Sequence, residues 1–204
     1  MTQTQVARTT GARPTDDQLL DAARDVFADR GFHASSMAEI AEQANSTKPT
    51  LYAHFGGKDE LYARVLLREA NQCRTHLFDA YEAAATLGLR DQTRADVEAL
   101  FTYVEEQPQG FELLFGPRNA GSAAGVRTTL LDDIASHLAQ RLMDYRTGSV
   151  ASAPTWSEQQ LAPMLVGSAI TAAQHARAVG ADMPRASALA SAFAIAALES
   201  ISSR

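Results

Sequence analysis

Residues 47 to 52 read Thr-Lys-Pro-Thr-Leu-Tyr, a short run that sets two hydroxyls, an ammonium and a phenol close together. Lysine can donate to guanine O6 and N7, and threonine can donate or lay its methyl on thymine. This is donor chemistry suited to a DNA groove. The chain has only two lysines, and Lys58 follows Lys48 by ten residues, just past Gly56-Gly57. A second constellation points elsewhere. Cys73 and His76 stand three apart, so on a helix they are neighbours. They could serve a helical enzyme or carrier as a dyad or half a metal site, but a buried cysteine beside a pocket-lining or surface histidine is the reading adopted. No acid–histidine–nucleophile set and no Gly-rich phosphate loop accompanies them, and His33, His137 and His175 are scattered. Neither a metal nor a cofactor is expected.

The elements that must position the first group are legible around it. Ser36 and Glu39 form a Ser-x-x-Glu capping box, which starts a helix with Met37, Ile40 and Ala41 facing inward. That helix ends near Ala44. Asn45 then takes a turn that needs a residue with positive φ, for which asparagine is the best choice after glycine. Thr47 can cap the next helix, and Pro49 sits in its first turn, where a missing N–H costs little. Leu51 and Phe55, four apart, should be buried, leaving Tyr52 and His54 off that face. Upstream, a helix from Thr15 to Arg30 buries Leu19, Ala23, Val26 and Phe27, and Gly31 supplies a left-handed cap. Helix, tight turn, helix is the helix-turn-helix, whose second helix enters the major groove with its amino-terminal residues on the bases. The hydroxyls of Ser36 and Tyr52 would reach phosphates, helped by the N–H groups at the amino end of the Ser36 helix.

This stretch resembles the Tet repressor family of bacterial transcription regulators. The elements that carry the likeness are LLDAARDVFADRGF, SSMAEIAEQANSTKPTLYAHF and GGKDELY, about residues 15–62. The resemblance implies that Ser36, Tyr52 and Lys58 bind phosphates, with His54 a further candidate, and that Thr47, Lys48, Pro49 and Thr50 face bases. Two departures are visible: Asn45 where the family usually has glycine, and Pro49 where it commonly has glycine or alanine. The resemblance further implies a homodimer whose last two helices form a four-helix bundle.

Beyond the head, no alternating strand pattern occurs, and the chain reads as all-α with about nine helices. The expected organisation is a disordered arm over 1–14, a helix-turn-helix head over 15–62, and a ligand-binding and dimerisation body over 63–204. One long helix runs from Lys58 toward Leu87, with others over 92–107, a short segment between Pro108 and Gly116-Pro117, 126–146, Ser157 to about Val179, and Asp182 to about Ile201. Loops are expected at 118–125 and 147–155. An apolar pocket between helices would draw on Cys73, Leu77, Phe101, Phe111, Phe115, Ile134, His137, Met164, Thr171 and His175, with Arg118 and Asn119 as a gate. Trp156 and Met143 read as core. The small-residue faces of the last two helices allow close approach, and Gly167, Ala172, Leu189, Ala192, Phe193 and Ala196 are expected at the dimer interface.

Bulk properties limit the alternatives. The formal net charge is −6, which counts against nonspecific nucleic-acid coating. Charge is segregated, however: residues 43–58 carry Lys48, His54 and Lys58 and no acid. One cysteine precludes an internal disulfide and fits a reducing cytoplasm. No run approaches the ~18 apolar residues of a membrane span, and the first residues lack the apolar stretch of a signal peptide. The expected function is a repressor released by a small apolar or amphipathic effector, binding a double-stranded operator as a homodimer. An activator or a ligand-independent regulator stands as the alternative.

Overall fold

The computed structural model describes residues 14–119, 121–147 and 158–202. Nearly all of the expected arm, most of the loop over 147–155, Trp156 and the Ser157 cap lie outside them. The described secondary structure is entirely helical. In order it comprises α1 (Asp16–Ala34), α2 (Met37–Gln43), α3 (Lys48–Phe55), α4 (Lys58–Ala84), α5 (Leu89–Glu106), α6 (Pro108–Phe115), a 3-10 turn (Pro117–Asn119), α7 (Ala124–Thr147), α8 (Glu158–Ala178) and α9 (Met183–Ser202).

Local chemistry sets the boundaries of the head. Thr15 and Gln18 close a capping box at the start of α1, and Ser36 and Glu39 close another at the start of α2. Gly31 breaks the helical conformation of α1 at φ 79° and ψ 162°, a conformation that glycine adopts freely. A Cβ there would meet Arg118 only at ordinary van der Waals contact, so the positive φ is what calls for glycine. Asn45 adopts φ 48° in the α2–α3 turn, where its amide hydrogen is bonded back to Glu42 O at 3.0 Å. Leu19, Phe27, Ile40, Leu51 and Phe55 converge on Leu61 and Val65 of α4.

α4 has 27 residues, so it is about 40 Å long. Its buried row, Leu61, Val65, Cys73 and Leu77, runs from the head into the body, and the core from Leu19 to Leu198 is contiguous. In the body α5 packs on α4 and α9, α7 on α8, and α8 on α9. The α4–α5 connection ends earlier than the sequence expectation. α4 stops at Ala84, and α5 already begins at Leu89 because Gln92 Nε2 donates to the carbonyls of Ala85 and Leu87 and closes the connection. Among the described residues, no helix is long and apolar enough to cross a membrane.

Candidate nucleic-acid interface and the cavity behind it

α3 is held by its cap and its two buried residues. Thr47 Oγ1 accepts from the Thr50 amide at 3.4 Å and lies 2.9 Å from Thr50 Oγ1. Leu51 and Phe55 are buried. Lys48, Pro49 and Tyr52 face solvent, Tyr52 with 52% exposure. Neither the Lys48 ammonium nor the Tyr52 hydroxyl has a hydrogen-bonding or ionic partner among the described residues. The first two turns of α3 therefore present an ammonium, hydroxyls and a phenol on a fixed backbone.

The other three residues grouped with them, Ser36, His54 and Lys58, do different work in this structure. The Ser36 hydroxyl donates to Glu39 Oε2 at 2.9 Å while accepting the Glu39 amide, so it serves first as the cap of α2. His54 Nδ1 lies 2.6 Å from Asp16 Oδ1 and ties α3 to α1. Lys58 Nζ donates to Phe32 O at 2.9 Å and Ser35 O at 3.0 Å, and stands 4.4 Å from the centre of the Phe32 ring. Two of its three donors are thus spent on the carboxyl end of α1. Pro49 gives up an N–H that the first turn leaves unpaired anyway.

Behind the head, polar groups tie α1 to α4. Tyr62 Oη donates to Asn119 Oδ1 at 3.2 Å, and Asn119 Nδ2 donates to Phe27 O at 3.5 Å. Asn119 is fully buried, so instead of gating a pocket it pins the 3-10 turn to α1 and α4. Arg68 joins Asp21 on α1 to Glu69 on α4, with both contacts at 2.9 Å. Glu69 is fully buried, and its carboxyl is pushed above the ordinary range by burial, against the pull of Arg68. Its Oε2 makes no hydrogen bond and rests against Gly110, where a Cβ would come within 2.5 Å of it. The sequence carried a signal for this residue, because position 69 stands midway between Val65 and Cys73 in the apolar row of α4.

An apolar cavity of about 50 Å³ lies between α4, α5, α7, α8 and α9. Cys73, Leu77, Phe115 and Ile134 line it, together with Leu100, Leu165 and Ile170. Phe101 and Phe111 are core residues that do not reach it. His137 lies in a separate groove, stacked on Phe78 at 4.6 Å. Burial and the nearby Arg141 keep its imidazole below the usual histidine range. Met164, Thr171 and His175 are exposed, because Leu165, Ile170 and Ala173 occupy the inward phase of α8. The Cys73 and His76 side chains do not form a dyad. Burial pushes the thiol up to about 12, so it stays protonated near neutrality, and His76 Nε2 lies 3.0 Å from Ala99 O.

Gly167, Ala172, Leu189 and Phe193 border an open groove of about 990 Å³ between α8 and α9. Leu189 is 74% exposed and Phe193 60%. Ala192 and Ala196 face a different hollow, beside Arg90 and Arg94 of α5.

A helix-turn-helix with a donor-bearing second helix, carried on an all-helical body, is the frame of a DNA-binding regulator. Residues 19–65 match the family model described as "Bacterial regulatory proteins, tetR family". The chain is 45% identical over 98 residues to the HTH-type transcriptional activator FasR of Mycolicibacterium smegmatis, covering 48% of this chain and 44% of that protein. It is 33% identical over 94 residues to the HTH-type transcriptional repressor KstR2 of Rhodococcus jostii, covering 46% and 43%. The matched segment thus spans less than half the length of each. Along nearly the whole fold, the crystal structure of a TetR-like transcriptional regulator from Rhodococcus sp. superposes with a TM-score of 0.72 at 28% identity, over 90% of this chain and 95% of that one. FadR from Bacillus subtilis, solved in complex with stearoyl-CoA, shares the fold with a TM-score of 0.74 at 15% identity, over 89% and 98%. The head, residues 19–65, thus matches the tetR family of bacterial regulatory proteins, and the fold as a whole is similar to that of a TetR-like regulator.

Proposed function

We propose that this protein is a sequence-specific transcriptional regulator that binds a pseudo-palindromic operator as a homodimer and is released by an apolar or amphipathic effector held in the body. The observation that carries the reading is the outward, unpartnered pair Lys48 and Tyr52 on a helix whose cap and buried face fix its orientation. Thr47, Lys48, Pro49 and Thr50 face the bases, and Tyr52 reaches phosphate. Ser36, His54 and Lys58 hold the reading helix and the end of α1 in place, and the remaining donor of Lys58 is available to a phosphate. Two copies joined through the α8–α9 groove set their reading helices in successive major grooves, roughly 34–36 Å apart. The apolar cavity alongside α4 is the place for the effector, and the stearoyl-CoA complex of FadR supports a fold that admits an acyl chain.

The test is an operator selection from random duplexes with the full chain, repeated with Lys48→Ala. A palindromic site should emerge, and the variant should lose preference at one base position per half-site, by about 1–3 kcal/mol. An unchanged preference would remove Lys48 from base reading, and no enriched site at all would refute the regulator. Activation is the second reading, favoured by the activator name of the relative at 45% identity. Reporter transcription in cells, with and without the chain, separates the two.

A further inference from the structure

Tyr81 on α4 is shared by two cavities. Inside lies the apolar cavity of about 50 Å³. Outside lies a groove of about 470 Å³ that Tyr81 borders with Gln92, His137 and Arg141. An ion pair closes the wall between them. Arg141 Nη1 donates to both carboxylate oxygens of Asp96 at 2.9 Å, and Nη2 donates to Gln92 Oε1 at 2.8 Å. The guanidinium carbon sits 5.3 Å from the centre of the Tyr81 ring. The Arg141 and Asp96 side chains are only 15% and 14% exposed.

Stability does not account for this pair. Desolvating two charges offsets most of their attraction, and an apolar pair of similar size usually serves a protein interior as well. What the pair does achieve is to place one guanidinium at the boundary between an apolar interior and a wet groove. We propose that Arg141 is the recognition point for the single negative charge of an amphiphile, a medium-chain carboxylate whose tail occupies the inner cavity. This rests on the effector reading above and adds the ligand's chemical class.

The surrounding charges select among headgroups. A carboxylate matches the guanidinium fork in the way Asp96 already does. Burial has pushed Asp96 above the usual carboxylate range, so when the guanidinium turns to the ligand Asp96 takes up a proton instead of remaining a buried, unpaired charge. Glu82 and Asp144, both exposed, flank the outer groove and disfavour a head with several negative charges. The site therefore takes a free acid in preference to a polyanionic conjugate of the same chain. A ten-carbon tail exceeds the inner cavity, so binding must displace Tyr81 and join the two spaces.

Titration calorimetry with the full chain tests this, using decanoate, decanol, decylamine and decanoyl-coenzyme A as probes. Decanoate should bind at least about tenfold more tightly than decanol, in keeping with a charge-assisted hydrogen bond. Decylamine should not bind, and decanoyl-coenzyme A should bind more weakly than decanoate. Arg141→Gln should weaken decanoate about tenfold. Asp96→Asn, which frees the guanidinium, should tighten it several-fold, a gain that misfolding cannot imitate. Decylamine binding as tightly as decanoate, decanoyl-coenzyme A binding more tightly than decanoate, or decanoate binding unchanged in both variants, overturns the proposal. Operator affinity is read separately. Decanoate that binds without altering it leaves this site standing and removes decanoate-driven release, whereas failure to bind leaves the DNA reading intact.

Discussion

Glu69 shows most clearly how one residue's environment decides its behaviour. One carboxylate oxygen accepts from Arg68 and the other has no partner, deep in a core that penalises charge. Its pKa is raised in the folded protein, chiefly by burial. The sign follows: the stability linked to Glu69 is fully present below its ordinary value of 4.5 and is lost as pH rises through the raised folded value. In urea titrations, the stability of the wild type relative to Glu69→Gln should therefore decline as pH is raised from about 4.5 toward 7. A difference that stays flat across that range would mean that Glu69 is ionised without penalty. The two lysines divide at the same scale. The Lys48 side chain faces solvent, while Lys58 spends two donors inside the head.

At the scale of elements, the helix-turn-helix depends on one left-handed residue. Asn45 at φ 48° lets the chain reverse between α2 and α3, and a β-branched side chain there costs about 1–2 kcal/mol. Asn45→Val should lower the unfolding free energy by about that amount, and Asn45→Gly should change it little. Equal losses in denaturant titrations would place the asparagine's role in its side chain instead of its backbone. α4 is the element that links the two halves, since it contributes buried residues to the head core and lines the cavity in the body. Arg68 and Tyr62 on α4 bond to α1 and to the 3-10 turn, so displacement of α4 at Tyr81 would be felt by the head.

Among the described residues, an apolar face is left uncovered on α9. Leu189 and Phe193 project from α9 beside the α8–α9 groove, and contiguous exposed apolar surface of this kind marks association sites. A double substitution, Leu189→Asp with Phe193→Asp, should yield monomers in sedimentation velocity and abolish cooperative operator binding while keeping the helical content. A variant that still sediments as a dimer would move the interface off this face. Ala192→Asp, which faces the hollow beside α5, should disturb it less.

Much of this protein was legible without its tertiary structure, because the signals were local. The capping box at Ser36, the Asn45 turn, the Thr47 cap and the Gly56-Gly57 break each act within a few residues, so type and spacing sufficed to draw these elements. The inward rows of α3 and α4 followed from helical period. What the sequence could not give were pairings across long separations and the rotation of each helix in the body. Lys58 reaches Phe32, Arg141 reaches Asp96, and Asn119 reaches Phe27. Met164, Thr171 and His175 face solvent because the phase of α8 is set by packing against α7 and α9, which periodicity in a helix rich in small residues does not specify. Local hydrogen bonds fixed the helix-turn-helix, and only the packing of distant helices decided which polar groups met behind it.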